Sequence, residues 1–356
     1  MKILYVTRHF NHSGYEILDR LIRENVKIDA ILLHDDKSSW RKPYVRQWLI
    51  LKYKLKCWYY RCKPLRTLRS EEALAKRHNI PIIWADSIKS DAFYEELTKL
   101  NPDIIVLGGG WHELIPPRVF SFPSLGCINT HPSLLPEFRG TSITRWQVLY
   151  GVEKSGSTIH YVDETFDTGG VLAQAETIVG PHTSPQELFL QLGKVGADIM
   201  IPLLRKFSES GKPTPYFVHH NEAYYQYFKR WTWDLERLKI DWSKTLRQIH
   251  YMVLANTQES YEYLGPTFRY NGHSYFLRTT RLIELSPQEQ HHVNQLPTGK
   301  LMVLKIQDNK VVVVRNGDQY ALELNLIQRF DKYYKYRRAY LANRLLKLTP
   351  GQLFEV

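Results

Sequence analysis

Short apolar and β-branched runs punctuate the first half of the chain and alternate with segments whose apolar positions recur at helical spacing. Lys2–Val6, Ile28–Leu33, Pro81–Trp84, Asp103–Leu107, Gly126–Thr130 and Thr158–Val162 read as strands, short and bounded by turn or helix signals. Between the first two, Ile17, Leu18, Leu21 and Ile22 share one helical face. Ser13 and Glu16 precede that face at capping-box spacing, so the serine oxygen is expected to cap the helix while Glu16 reaches back. A further helix start is written in Ser184-Pro185-Gln186-Glu187, with an N-cap serine, proline at the first helical position and glutamate at the third. That helix should run to about Phe207, before Gly211-Lys212-Pro213. Apolar strands separated by helices predict an α/β, doubly wound (Rossmann-like) parallel sheet with both faces covered.

After Trp231 the period changes. One helix is expected over Ser243–Asn256. Short alternating runs follow at Thr267–Tyr270, His273–Arg278, Gly299–Ile306, Lys310–Arg315 and Tyr320–Leu324. Asn271-Gly272 and Asn316-Gly317-Asp318 supply turns between several of them, which predicts a small antiparallel β-barrel. The expected plan is an α/β domain over 1–210, a polar and aromatic linker over 211–242, and a barrel over 243–356 ending in a basic helical tail at 331–347.

Composition narrows the class. With 43% hydrophobic and 24% charged residues, the chain has the profile of a soluble globular protein. No apolar stretch approaches the roughly 20 residues of a membrane span, and the first residues read as a strand, not a leader. Cys57, Cys62 and Cys127 make neither a disulfide framework nor a zinc set, so a reducing cytoplasm is the expected location and no metal is expected.

Charge adds an anionic partner to the picture. The 48 Lys and Arg exceed the 36 Asp and Glu, for a net charge of +12. Eleven of the basic residues lie in 37–70, which has no acidic residue and interleaves Trp40, Tyr44, Trp48, Tyr53, Trp58, Tyr59 and Tyr60. Nucleic acid, an anionic bilayer surface and a solvated helical insertion all fit this composition.

The chemistry concentrates in Cys127–Leu172. Asn129 and His131, two residues apart at the end of a strand, project from one face into the crevice at the carboxyl edge of a parallel sheet. Ser133-Leu134-Leu135-Pro136 and Arg139-Gly140 follow as a turn, and Asp167-Thr168-Gly169-Gly170 forms a glycine-bounded loop. Each element alone is an ordinary structural feature. The combination N-x-H-P-S-L-L-P-x-x-R-G followed by D-T-G resembles the folate-dependent formyltransferases, a family that includes glycinamide ribonucleotide, methionyl-tRNA and sugar-nucleotide enzymes.

The resemblance covers residues 1–210 and extends more weakly into the C-terminal barrel, where some members carry an oligonucleotide-fold-like domain that can support a homodimer. It implies 10-formyltetrahydrofolate as co-substrate, no metal, and Asn129, His131 and Asp167 as the catalytic trio. In that reading Asn129 and His131 donate to the oxyanion formed when a primary amine attacks the formyl carbon, and Asp167 orients His131 and helps remove the proton. Folate contacts are implied for Trp111, His112 and Leu114 in one loop and for Val162, Asp163 and Glu164 in another. Leu114 and Val162 are equally well explained by core packing.

The acceptor implied is a nucleotide-activated amino sugar. The tRNA enzymes usually have glycine after the histidine, Ala-Ala-Pro-Ile after Arg-Gly, and Asn-Pro-Trp-Pro-Gly-Ala at the domain junction. This chain has Pro132, Thr141-Ser142-Ile143-Thr144 and Ala255-Asn256-Thr257-Gln258. Methionyl-tRNA is the alternative acceptor, and an RNA-binding module on a formyltransferase scaffold is the non-enzymatic alternative, against which the intact trio argues.

Overall fold

The computed structural model describes residues 1–8, 11–34, 48, 51, 55, 70–85, 87–111, 113–216, 226–232, 237–256, 265–330 and 339–356. Most of the basic segment 37–70, His112, Cys57, Cys62, Thr257-Gln258 and the first half of the basic tail lie outside the described residues.

The first unit runs β1 (Ile3–Arg8), α1 (His12–Arg23), β2 (Ala30–His34), α2 (Glu71–Arg77), β3 (Ile82–Ala85), α3 (Asp91–Leu100), β4 (Ile104–Leu107) and α4 (Pro117–Phe120). It continues with β5 (Cys127–His131), β6 (Arg139–Gly140), α5 (Ile143–Tyr150), β7 (Lys154–Tyr161), β8 (Val171–Ile178) and α6 (Pro185–Ser210). Seven strands form one sheet in the order β3-β2-β1-β4-β5-β7-β8. The first five are parallel. Alternation along them feeds two cores: Ile3, Tyr5, Ile31 and Val106 pack with α1 and α6, whereas Leu4, Val6, Leu32 and Ile105 pack with α3 and α4. The doubly wound reading therefore stands.

Two details depart from expectation. The sheet is mixed, because β7 pairs antiparallel with β5, and β8 antiparallel with β7. The short connection 162–170 cannot hold the crossover helix a parallel pair needs. Strand β8 itself was not expected; one side of it is exposed, with Ile178 at 75%, so its polar positions mask the strand pattern. The second departure is the cap of α1. It is Asn11, whose side chain accepts from Gly14 N–H at 2.8 Å, while Ser13 is buried inside the helix. Both residues satisfy capping chemistry on paper, and the earlier one wins because the helix begins at His12. The Ser184–Glu187 capping box forms as expected, and α6 runs to Ser210.

Beyond β9 (Tyr227–Phe228) come α7 (Leu246–Asn256), β10 (Thr267–Tyr270), β11 (His273–Glu284), α8 (Pro287–Val293), β12 (Leu301–Gln307), β13 (Lys310–Arg315), β14 (Tyr320–Arg329), β15 (Tyr340–Leu341) and α9 (Ala342–Leu346). Six strands make an antiparallel sheet ordered β10-β11-β14-β13-β12, with β15 on β14. Pairing between its outer strands β10 and β12, which would close a barrel, is not found among the described residues. β11 and β14 outrun their expected lengths because a register shift at Leu277–Thr280 lets the pair bend without ending. The end of the basic tail forms β15 and the single short helix α9, not one long helix.

The two units meet where α5 lies against α7. Arg145 donates to the Ala255 carbonyl at 2.6 Å, and Val148, Leu188, Leu192 and Ala255 share a small core.

Candidate active site

Asn129 and His131 leave β5 on the same face. The antiparallel register with β7 sets His160 opposite Asn129 and Thr158 opposite His131. Thr158 holds the following turn: its hydroxyl donates to the Ser133 carbonyl at 2.6 Å and accepts from Leu135 N–H at 3.0 Å. The turn, which contains the cis Leu135–Pro136 bond, ends at Phe138, whose carbonyl faces His131 Nε2 at 2.9 Å.

Asp167 enters from the 162–170 connection at a φ of 56°, a left-handed conformation that aspartate adopts more readily than most residues. Its Oδ1 lies 3.3 Å from His131 Nδ1, 3.7 Å from His160 Nε2 and 3.5 Å from Asn129 Nδ2. Its Oδ2 accepts from Gly140 N–H at 2.9 Å. Gly140 has a φ of 113°, and a Cβ there would sit 2.2 Å from the Phe228 carbonyl oxygen. Only glycine fits where β6 pairs with β9 and still presents its N–H to the carboxylate.

The protonation states follow from the partners. A carbonyl only accepts, so His131 Nε2 carries a proton, and Nδ1 faces a carboxylate. Burial pushes this imidazole down, but the Asp167 charge, its hydrogen bond and the Phe138 carbonyl outweigh burial and raise its pKa. The shift favours the protonated ring of His131, which is only 4% exposed. Burial would raise Asp167; the His131 charge and hydrogen bond, His160 and Gly140 N–H overcome it and hold the carboxyl at about 2. His160 goes the other way. Its burial wins over Asp167 and lowers its pKa, and its Nδ1 donates to the Tyr161 carbonyl at 2.7 Å. The neutral ring then accepts from Asn129 Nδ2 at 3.1 Å.

One Asn129 N–H is therefore spent on His160. The other points at Asp167 across 3.5 Å, the outer limit of a hydrogen bond, and can be taken by an anion arriving in the crevice. An amide donor beside a buried imidazolium is an arrangement suited to negative charge that develops during a reaction. Among the described residues no group of His, Cys, Asp or Glu is placed to hold a metal, and no helix is long and apolar enough to cross a membrane.

The expected folate loops border this crevice in sequence, and their side chains are partly committed to structure. Trp111 packs edge-on against His34 with ring centroids 5.4 Å apart. Glu113 accepts from Ile88 N–H at 3.0 Å and Ser87 Oγ at 3.2 Å, which anchors the first loop. Leu114 is half-buried, and no hydrogen bond among the described residues uses its backbone. Val162 N–H donates to the Cys127 carbonyl at 2.8 Å. Asp163 accepts from Thr168 Oγ1 at 2.7 Å and Thr165 N–H at 3.2 Å, shaping the turn that delivers Asp167. Glu164 is exposed. His160 was not foreseen from the sequence, where its signal is a titratable ring in a buried stretch of strand that also holds Ser155, Ser157 and Thr158.

Known proteins resemble this chain to different extents. The formyl transferase family model matches residues 64–204. Methionyl-tRNA formyltransferase of Syntrophus aciditrophicus is 40% identical over 37% of this chain and 42% of its own length. That of Clostridioides difficile is 32% identical over 66% of this chain and 68% of its own. An N-formyltransferase from Helicobacter canadensis, solved with folinic acid and dTDP-3-aminofucose, shares the fold over 93% of this chain and 100% of that one, with a TM-score of 0.60 and 15% identity. HypX from Aquifex aeolicus, solved with tetrahydrofolic acid, matches 97% of this chain at a TM-score of 0.54 and 16% identity; the chain spans about half of it, 47%. With the Clostridioides difficile relative matched over two thirds of its length, the chain belongs to the folate-dependent formyltransferase family.

Proposed function

We propose that the chain transfers the formyl group of 10-formyltetrahydrofolate to the primary amine of a nucleotide-linked amino sugar, with Asn129, His131 and Asp167 at the reacting centre. The observation that carries this reading is the single Asp167 oxygen facing His131, His160 and Asn129 at 3.3, 3.7 and 3.5 Å. Attack of the amine on the formyl carbon moves negative charge onto the formyl oxygen. The second Asn129 N–H and the His131 imidazolium meet that charge. The amine nitrogen must lose a proton and N10 of the departing tetrahydrofolate must gain one. A carboxylate held at about 2 is too weak a base to keep the proton, so Asp167 and His131 pass it on. The pterin edge is read by backbone of the loops carrying Trp111, His112 and Leu114, and Val162, Asp163 and Glu164. The open Leu114 backbone suits that use.

The sugar acceptor rests on Pro132, Thr141–Thr144 and Ala255–Gln258, where residues usual in the tRNA enzymes are replaced. Methionyl-tRNA is kept as a second reading because the relatives at 32% and 40% identity carry that name. A side-by-side assay with 10-formyltetrahydrofolate, offering nucleotide amino sugars and methionyl-tRNA, decides between them. Sugar formylation that falls about 100-fold or more in His131→Ala supports the proposal. Exclusive formylation of the tRNA reverses the acceptor, and near-normal turnover in His131→Ala removes the trio.

A further inference from the structure

Apart from the Asn129–Asp167 crevice, the seam between the two units holds a cavity of about 980 Å³. Four of its lining side chains are aromatic. Trp146 and Tyr150 come from α5, and Trp231 comes from the segment after β9. Trp146 and Trp231 pack edge to face at 4.6 Å, and the Tyr150 ring stays 47% exposed although Phe138 and Phe228 flank it. Asn256 forms part of the wall and is only 4% exposed. Its Nδ2 donates to the Met252 carbonyl at 2.8 Å, while its buried Oδ1 has no hydrogen-bond partner among the described residues. A buried acceptor left open costs stability unless a ligand donor reaches it.

The rim is net positive, with Arg237, Lys239, Lys244 and Arg247 against the carboxylates of Glu153 and Asp241. Glu153 is taken by Arg247 at 2.6 Å, and Asp241 accepts from Ser243 Oγ at 2.6 Å and from Ser243 N–H at 3.0 Å. Lys239 and Lys244 are exposed on the same rim, and no salt bridge among the described residues uses either. A flat apolar wall, one buried acceptor and two cations match a ligand with an aromatic ring, an N–H donor and phosphate. A lipid tail would leave the acceptor unused, and an apolar peptide would leave the lysines unused.

We infer that this cavity seats a nucleoside diphosphate, the nucleotide end of the acceptor, with its base against Tyr150 and Trp231, a base N–H on Asn256 Oδ1 and its phosphates on Lys239 and Lys244. The inference rests on the sugar-nucleotide reading above. The cavity is tied to the reacting centre through one strip of chain. Gly140 N–H holds Asp167, Thr141 N–H donates to the Phe228 carbonyl at 3.0 Å, and Trp231 N–H donates to Ser142 Oγ at 3.2 Å. Phe228 and Trp231 are three residue steps apart, at most about 10 Å when fully extended.

Titration of the full chain with UDP, dTDP and pyrophosphate, followed by tryptophan fluorescence and calorimetry, tests the site. A nucleoside diphosphate is expected to bind saturably, and Lys239→Glu with Lys244→Glu to weaken it tenfold or more. Asn256→Leu is expected to weaken the nucleotide and leave pyrophosphate unchanged. Folinic acid binding, unaltered in both variants, serves as the control for folding. Nucleotide affinity that neither variant changes, or pyrophosphate bound as tightly as both nucleotides, overturns the inference. If a nucleotide amino sugar is formylated with the same KM by wild type and variants, the cavity inference falls and the function stands. If cavity-dependent nucleotide binding is found but only methionyl-tRNA is formylated, the nucleotide site stands and the sugar acceptor falls.

Discussion

Asn129 and His160 face each other across the β5–β7 ladder, with Nδ2 3.1 Å from Nε2. The contact fixes which way the amide points, because a neutral ring with its proton on Nδ1 can only accept at Nε2. His160 is thus a positioning residue for the donor proposed to meet the oxyanion. His160→Ala releases the amide to rotate, and a misplacement of that kind costs on the order of 100-fold in kcat. His160→Gln can restore an acceptor and should recover part of the loss. Steady-state formyl transfer checks this, and wild-type kcat in His160→Ala would show that Asn129 needs no such support.

Gly140 joins the site to the chain behind it. Gly140→Ala places a Cβ against the Phe228 carbonyl and strains a φ of 113°. The expected cost is about 1–3 kcal/mol of stability, read by urea denaturation. Turnover should fall with it, because the same N–H holds Asp167 Oδ2 at 2.9 Å. A variant with unchanged midpoint and activity would mean that β6 and β9 part at no cost.

Asn11 serves two elements at once. Its Oδ1 caps α1 at Gly14 N–H, and its Nδ2 donates to the Gly109 carbonyl at 3.2 Å in the loop leading to Trp111. Asn11→Ala should cost about 1 kcal/mol from the cap and raise the KM for the formyl donor. Asn11→Asp keeps the cap acceptor and loses the donor. It should therefore recover the stability and leave the KM raised. Recovery of both by aspartate would free the Gly109 loop from any dependence on this side chain.

What could be read in the sequence was what repeats locally. Ile3, Leu4, Tyr5 and Val6 advertise two buried faces as one unbroken apolar run, so the doubly wound sheet was legible. That Asn129, His131 and Asp167 converge could be expected because their spacing resembles that of a known family. His160 was not legible, since its partner Asn129 is adjacent only through an antiparallel register that depends on β7 reversing direction. Strand β8 was hidden by its exposed side. Asn11 and Ser13 offered two caps two residues apart, and the choice is made by Gly109 and Glu71, which hold Asn11 from distant parts of the chain. Strands β11 and β14 looked short because Thr279 and Thr280 sit at a bulge, and a bulge looks like an ending in one dimension.

The His131–Asp167 pair sets a pH dependence whose sign can be worked out. His131 has a raised pKa in the folded chain, so its contribution is fully present below its ordinary 6.5 and is lost as pH rises through the raised value. Asp167 is lowered from 3.8 to about 2, so its contribution is present above 3.8 and is lost as pH falls toward 2. His160, buried and neutral, contributes above 6.5 and loses that as pH falls through its lowered value. If the His131 cation meets the oxyanion, kcat/KM falls on the alkaline side as that proton leaves. Asp167→Asn removes the charge that opposes burial and leaves only the Phe138 carbonyl against it, so the His131 pKa moves down. The alkaline limb of the variant should therefore move to lower pH, with reduced activity throughout. A limb that stays in place would assign the titration to the attacking amine, and His131 would then act without its charge.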